Sequence, residues 1–132
     1  KSCPRTAAGK PRKRGKGYFN HQCSIWARET TENFMWLVDH TLHMFNERKF
    51  RWPDSKDHFT YNFIKWCGDN VHNTIIDKTK LTEFAVAINQ DCNCRQQNKN
   101  FDSLPVIDQY REYIRKDKPF ATWTARNKPT WY

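Results

Sequence analysis

From Ser24 onward, apolar residues recur at three- and four-residue steps. Phe34, Leu37, Val38, Leu42 and Phe45 share one helical face, while Glu32, Asp39, His43 and Glu47 share the other. This pattern predicts one long amphipathic helix. Thr30 or Thr31 caps its main part, because a threonine oxygen can take up an orphan N–H of the first turn. Pro53 disfavours a helical Trp52, so the helix should end near "FRWPDS", where Asp54 and Ser55 suit a turn and a fresh N-cap. A second helix is predicted from roughly Lys56 to Cys67, burying Phe59, Phe63 and Trp66, with Gly68 as its C-terminal stop.

Further along, "DNVHNTIIDKTK" is ambiguous, since Ile75 and Ile76 suit a short buried segment of any kind. "LTEFAVAINQ" places Leu81, Phe84, Ala85 and Ile88 at helical spacing and predicts a short helix. "DCNCRQQNKN" is polar and amide-rich, and reads as a loop. A last helix follows Pro105, with Ser103 as cap, Ile107, Tyr110 and Ile114 along one face, and Arg111, Arg115 and Lys116 towards its C-terminal end, where cations suit the dipole. No strand pair carries hairpin chemistry and no internal repeat is present. The expected fold class is all-α: a compact single-domain helical bundle over residues 20–132. Ahead of it, residues 1–19 mix Pro and Gly with Lys and Arg and predict an extended basic arm or loop.

Composition changes this picture in two ways. The 132 residues and 16.0 kDa suit one core. Only 37% of residues are hydrophobic and the mean hydropathy is −1.01, yet aromatics reach 15%, so the apolar content lies in a few large rings. The net charge of +9, with a pI near 9.5, is concentrated in "GKPRKRGKG", residues 9–17, which points to a polyanionic partner. No apolar run approaches the ~20 residues needed to span a bilayer, and no amphipathic helix with a basic face adjoins the cluster, so a membrane is not the expected partner. The expectation is a soluble, cytoplasmic protein.

Candidate chemistry is sparse. Cys3, Cys23, Cys67, Cys92 and Cys94 are odd in number and no signal segment precedes them, so reduced thiols are expected. His21 and Cys23 form an H-x-C pair and Cys92 and Cys94 a C-x-C pair, with Cys3 to spare. Zinc sites usually space paired cysteines by two to four residues, so no residue is assigned as a metal ligand and no cofactor is expected. No nucleophile elbow, Walker loop or Gly-rich dinucleotide turn is present. Glu29 and Glu32, placed near the start of the long helix, are explained by capping and by pairing with Arg28. The richest constellation is basic and aromatic. Arg12, Lys13, Arg14, Lys16 and Tyr18 lead into His21, Trp26 and Arg28, while Arg51 with Trp52, and Arg126 with Lys128 and Trp131, supply two further clusters. Cations on phosphates with rings on bases would suffice to hold nucleic acid.

The run "NHQCSIWARETTENFMWL" resembles a group of small phage and bacterial proteins that carry an N-H-P-C-x-x-W-x-R-E type motif before an aromatic-rich helix. Asn20, His21, Cys23, Trp26, Arg28 and Glu29 match, and Gln22 replaces the proline. "LTEFAVA" is similar to that group's T-P-F-A-x-A segment, with Glu83 at the proline position. "YREYIRKDKPFATW" is similar to its Y-R-x-Y-x-x-x-x-K-x-x-x-x-W helix, through Tyr110, Arg111, Tyr113, Lys118 and Trp123. More distantly, "KPTWY" resembles the R-P-T-W-Y segment of the phage pyrimidine-dimer DNA glycosylase and lyase family of the endonuclease V type, whose members are compact all-α enzymes. That family uses an N-terminal α-amine and a first-helix glutamate, and neither has a counterpart ahead of His21. The resemblance thus implies either a catalytic segment ahead of Lys1 or a scaffold kept without the activity.

Together these observations predict a DNA-binding protein on that scaffold, with DNA base repair or modification as the activity the resemblance implies. His21 and Glu29 are the candidates for acid–base roles. Arg12, Lys13, Arg14, Lys16, Arg28, Arg51, Arg126, Lys128 and Trp131 are the candidates for nucleic-acid contact. Two other readings stand beside this one: an accessory phage protein that binds a protein partner, and a zinc-stabilised nucleic-acid-binding module.

Overall fold

The structure is a computed structural model that describes residues 2–13, 18–71 and 79–132. Among these residues there are five α-helices and no strand, so the all-α expectation holds. The helices are α1 (Gln22–Glu29), α2 (Thr31–Arg51), α3 (Tyr61–Asn70), α4 (Asn93–Gln97) and α5 (Val106–Asp117), with a 3₁₀ turn at Phe101–Ser103. None of them is long and apolar enough to cross a membrane. The chain divides into two compact units, Lys1–Thr82 and Glu83–Tyr132.

In the first unit, Thr30 is extended (φ −136°, ψ 156°) and separates α1 from α2, and its hydroxyl accepts from Asn33 N at 3.0 Å. This is the predicted cap. The buried Trp26 meets Trp36 edge-on at 5.7 Å. Beside it the buried Asn33 ties three segments together. Its Nδ2 donates to Trp26 O (2.9 Å) and to Thr82 Oγ1 (2.8 Å), while its Oδ1 accepts from Thr82 N (2.9 Å). Leu81 N donates to Glu32 Oε2 alongside. Helix α2 ends as predicted, since Trp52 N closes onto Arg48 O and Pro53 prevents another turn.

Helix α3 departs from expectation at both ends. It begins after Thr60 rather than at Lys56, because Arg48 and Lys49 of α2 donate to the carbonyls of Lys56 and Ser55 and hold that stretch open. Phe59 therefore lies outside the helix and is exposed. Gly68 lies inside α3, not beyond its end. A Cβ there would sit 3.1 Å from Val38 Cγ1, so the glycine lets α3 approach α2 closely rather than stopping the helix.

The extended basic arm is also corrected. Thr6 to Lys10 form a closed turn, with Gly9 N donating to Thr6 O (2.8 Å) and Thr6 N to Lys10 O (2.9 Å), around a Gly9 with φ of +72°. Arg12 then folds onto α3. Its Nε donates to Pro4 O (3.1 Å), and its guanidinium lies 3.9 Å from the centroid of the Phe63 ring. A cation over a ring face is a packing contact that hydrophobic periodicity does not register. Arg14, Lys16, Ile75 and Ile76 lie outside the described residues.

The second unit is built on a small buried cluster of Ile88, Cys92, Cys94 and Phe101, against which Val86, Leu104, Tyr110 and Tyr113 pack. The predicted helix over "LTEFAVAINQ" does not form. Residues 81–89 carry no helix or strand, and Tyr110 Oη donates to Ala85 O (2.8 Å) and accepts from Ala87 N (3.0 Å), which supplies partners that a helix would otherwise provide. Helix α4 instead arises within the predicted loop. Helix α5 stands where it was expected, but its buried residues are Val106 and Gln109 and Ile107 is exposed, so its inward face is turned from the one predicted. Ser103 belongs to the 3₁₀ turn and does not cap α5, whose N-cap position is Pro105.

Candidate functional site

The stretch 18–29 carries Tyr18, His21, Trp26 and Arg28 on and just before α1, and of these Trp26 is buried. His21 is the N-cap of that helix, and its Nδ1 accepts from Cys23 N at 3.2 Å. A short polar side chain can do this because the imidazole nitrogen reaches the orphan N–H two residues on. Tyr18 stands 84% exposed and meets the His21 ring edge-on at 6.2 Å. The Arg28 guanidinium lies 4.0 Å from the centroid of the exposed Phe19 ring and donates to Phe19 O. Tyr18, Phe19 and His21 thus stand exposed ahead of the first turn of α1, and Arg28, in its last turn, reaches back to Phe19.

Glu29 is exposed; it is the last residue of α1 and, as expected, lies near the start of the long helix, directly before the α2 N-cap Thr30. His21 and Glu29 thus lie at opposite ends of α1, about 12 Å apart along the axis at the α-helical rise. The fold does not bring this acid–base pair together. Glu32 lies in the first turn of α2.

The cations assigned to nucleic-acid contact divide into packed and presented groups. Arg12 is half-buried on Phe63, whereas Lys13 is exposed. Arg51 pairs with Glu47 at 2.8 Å and lines an open groove of about 690 Å³ with Arg48, Trp52, Pro53, Asp54 and Ser55. Trp52 is 52% exposed there, so its ring face is available. Sequence reasoning passed over Arg48, which shares this groove through the end of α2. In the second unit, Arg126 and Lys128 are exposed, and Lys128 Nζ lies 4.6 Å from the Tyr132 ring centroid. Trp131 is half-buried and edge-on to Tyr132, and its carbonyl accepts from Arg115 at 2.9 Å. It is engaged by its own chain rather than offered to a base.

A second cluster lies in the core of the Glu83–Tyr132 unit. Cys92 Sγ and Cys94 Sγ are 2.7 Å apart, both buried, and an Asp117 carboxylate oxygen completes a set whose ligand atoms all lie within 4.8 Å of one another. Asp117 Oδ1 accepts from Asn93 N (2.7 Å) and Oδ2 from Cys94 N (3.0 Å), so the end of α5 caps the start of α4. Burial pushes the Cys94 thiol up to about 12, and the neighbouring Cys92 and Asp117 push the same way. Burial also works to raise the Asp117 carboxyl, but the Asn93 and Cys94 donors outweigh it and hold the carboxyl below its ordinary value. The C-x-C pair is visible in the sequence. Asp117 is not, because more than twenty residues separate it from the cysteines and only packing joins them. His21, Cys23 and Cys3, the other thiol and imidazole groups considered for zinc, are exposed and belong to the first unit. Comparison of the chain with protein-family models, with curated proteins and with solved structures returns no match.

Proposed function

We propose that the protein binds nucleic acid through its N-terminal 28 residues. One observation carries the reading: this stretch holds eight of the 23 Lys and Arg residues and no Asp or Glu, while the remaining chain holds 15 cations against 14 acids. Charges unopposed by neighbouring acids set up a local field that attracts a polyanion, whereas interspersed charges largely cancel at a distance. Tyr18 and Phe19 stand exposed within that stretch, beside Arg28, and supply faces on which bases can stack. Lys10, Lys13 and Arg28 are the exposed cations best suited to phosphate.

DNA is the favoured nucleic acid, and repair or modification of a base is the finer reading that the sequence resemblance suggests. The separation of His21 from Glu29 lends that finer reading no acid–base pair, so the proposal rests on binding. A protein-binding role is favoured by a different observation, the exposed Phe50, Trp52 and Phe59 around the end of α2.

Fluorescence anisotropy with labelled single-stranded and duplex DNA tests the reading. Four to five phosphate contacts predict a slope of log affinity on log salt of about −4 for duplex. Lys10→Glu/Lys13→Glu should weaken binding steeply while leaving the melting temperature in place, because neither side chain is packed. Absence of binding at low salt would end the proposal.

A further inference from the structure

We propose that Cys92, Cys94 and Asp117 form a binding site for a divalent metal ion of the zinc class. Two thiols and a carboxylate are the donor set that a borderline-soft d¹⁰ ion takes, whereas magnesium or calcium would require oxygen ligands throughout. Among the described residues this is the one group of three His, Cys, Asp or Glu side chains whose ligand atoms lie so close together. The ligands also come from separate elements: Cys92 is the N-cap residue of α4, Cys94 lies in its first turn, and Asp117 is the last residue of α5. An ion there would clamp the two helices at the point where they already meet.

The electrostatics of the cluster favour a cation. Three groups able to carry negative charge are gathered with their ligand atoms within 4.8 Å of one another, and a metal ion would supply compensating positive charge while displacing the thiol protons. Asp117 can ligate and cap together, because its two N–H contacts use about half of the roughly four lone-pair sites of a carboxylate.

The sulfurs must part to take the ion. Two thiolates on one tetrahedral zinc, at bond lengths of about 2.3 Å, stand about 3.8 Å apart, against 2.7 Å here. Rotation of the Cys92 side chain, which is slightly less buried than Cys94, would part them. Three protein ligands leave the fourth tetrahedral position to water or a further donor.

Cobalt(II) titrated into the full chain, stripped with chelator and kept reduced with a phosphine, tests the site. One equivalent should produce a thiolate-to-cobalt charge-transfer band together with visible bands of tetrahedral intensity, and zinc should bleach both. Asp117→Asn should weaken cobalt affinity about tenfold or more, since losing a ligand costs at least what losing a ligand's supporting partner costs. Because Cys94→Ser removes a fully buried core group, the deciding variant is Cys3→Ser/Cys23→Ser/Cys67→Ser, which leaves the cluster intact. Retention of the band in that triple variant supports the site. Loss of the band there, or no band in the unaltered protein at one equivalent, overturns it.

Discussion

The two units solve the problem of a small core in opposite ways. In Lys1–Thr82, α1, α2 and the segment at Thr82 meet on a polar residue, Asn33, whose amide group makes three hydrogen bonds in a fully buried position. In Glu83–Tyr132, the centre is an apolar cluster around Phe101, closed by two thiols and capped by a carboxylate. A buried amide specifies geometry because its donors and acceptors accept only one arrangement of partners, whereas an apolar cluster supplies more driving force and less direction. The long α2, with many exposed apolar side chains, depends on such a specifier to fix how it meets its neighbours.

Substitutions at the two centres probe this contrast. Phe101→Ala should cost about 3 to 5 kcal/mol in urea unfolding, the usual range for emptying a fully buried aromatic site. A cost under about 1 kcal/mol would mean that the cluster collapses to fill the space. Asn33→Ala should cost about 3 kcal/mol, because the Thr82 N–H and the Trp26 carbonyl each lose a partner in a buried setting. If Asn33→Leu were as stable as the original protein, burial rather than hydrogen bonding would hold the first unit together.

Arg12 and Lys13 sharpen the comparison between packed and presented cations. Arg12→Ala should lower stability by about 1 to 2 kcal/mol, through its contact with Phe63 and its bond to Pro4 O. Lys13→Ala should stay within about 0.5 kcal/mol of the parent, as an exposed side chain away from any packed contact. Equal effects in thermal melting would contradict the docking of Arg12 on α3.

The smallest effect is confined to acid. The Asp117 carboxyl lies below its unfolded value, so its contribution to stability is complete at neutral pH. That contribution declines as the pH falls through about 4, where the unfolded carboxyl titrates, and is lost below the folded value. Asp117→Asn should flatten this part of the stability–pH curve, and an unchanged acid limb would show that other carboxylates govern it.

Several elements were legible because their signals are local. The α2 cap at Thr30 and its stop at Pro53, and the helix that follows Pro105, all follow from side chains acting within a turn of their own backbone. The stretch 81–89 has helical spacing but forms no helix, because its backbone partners come from Tyr110, over twenty residues away. Gly68 departs from its expected role as a helix stop for a related reason. Glycine suits both a helix stop and a close helix contact, and only Val38 tells which.

The site followed the same division. Charge segregation in the first 28 residues, and the presence of a C-x-C pair, are properties of composition and order and hold whatever the fold. The sequence by itself therefore determined the helical class, the long central helix and the cation-rich, acid-free stretch of the first 28 residues. Tertiary structure alone decided that Arg12 is packed while Lys13 is presented, that His21 and Glu29 stand at opposite ends of α1, and that Asp117 joins Cys92 and Cys94. Periodicity and charge report how each segment meets solvent, whereas convergence of distant side chains depends on which segments pack, and no local pattern encodes that.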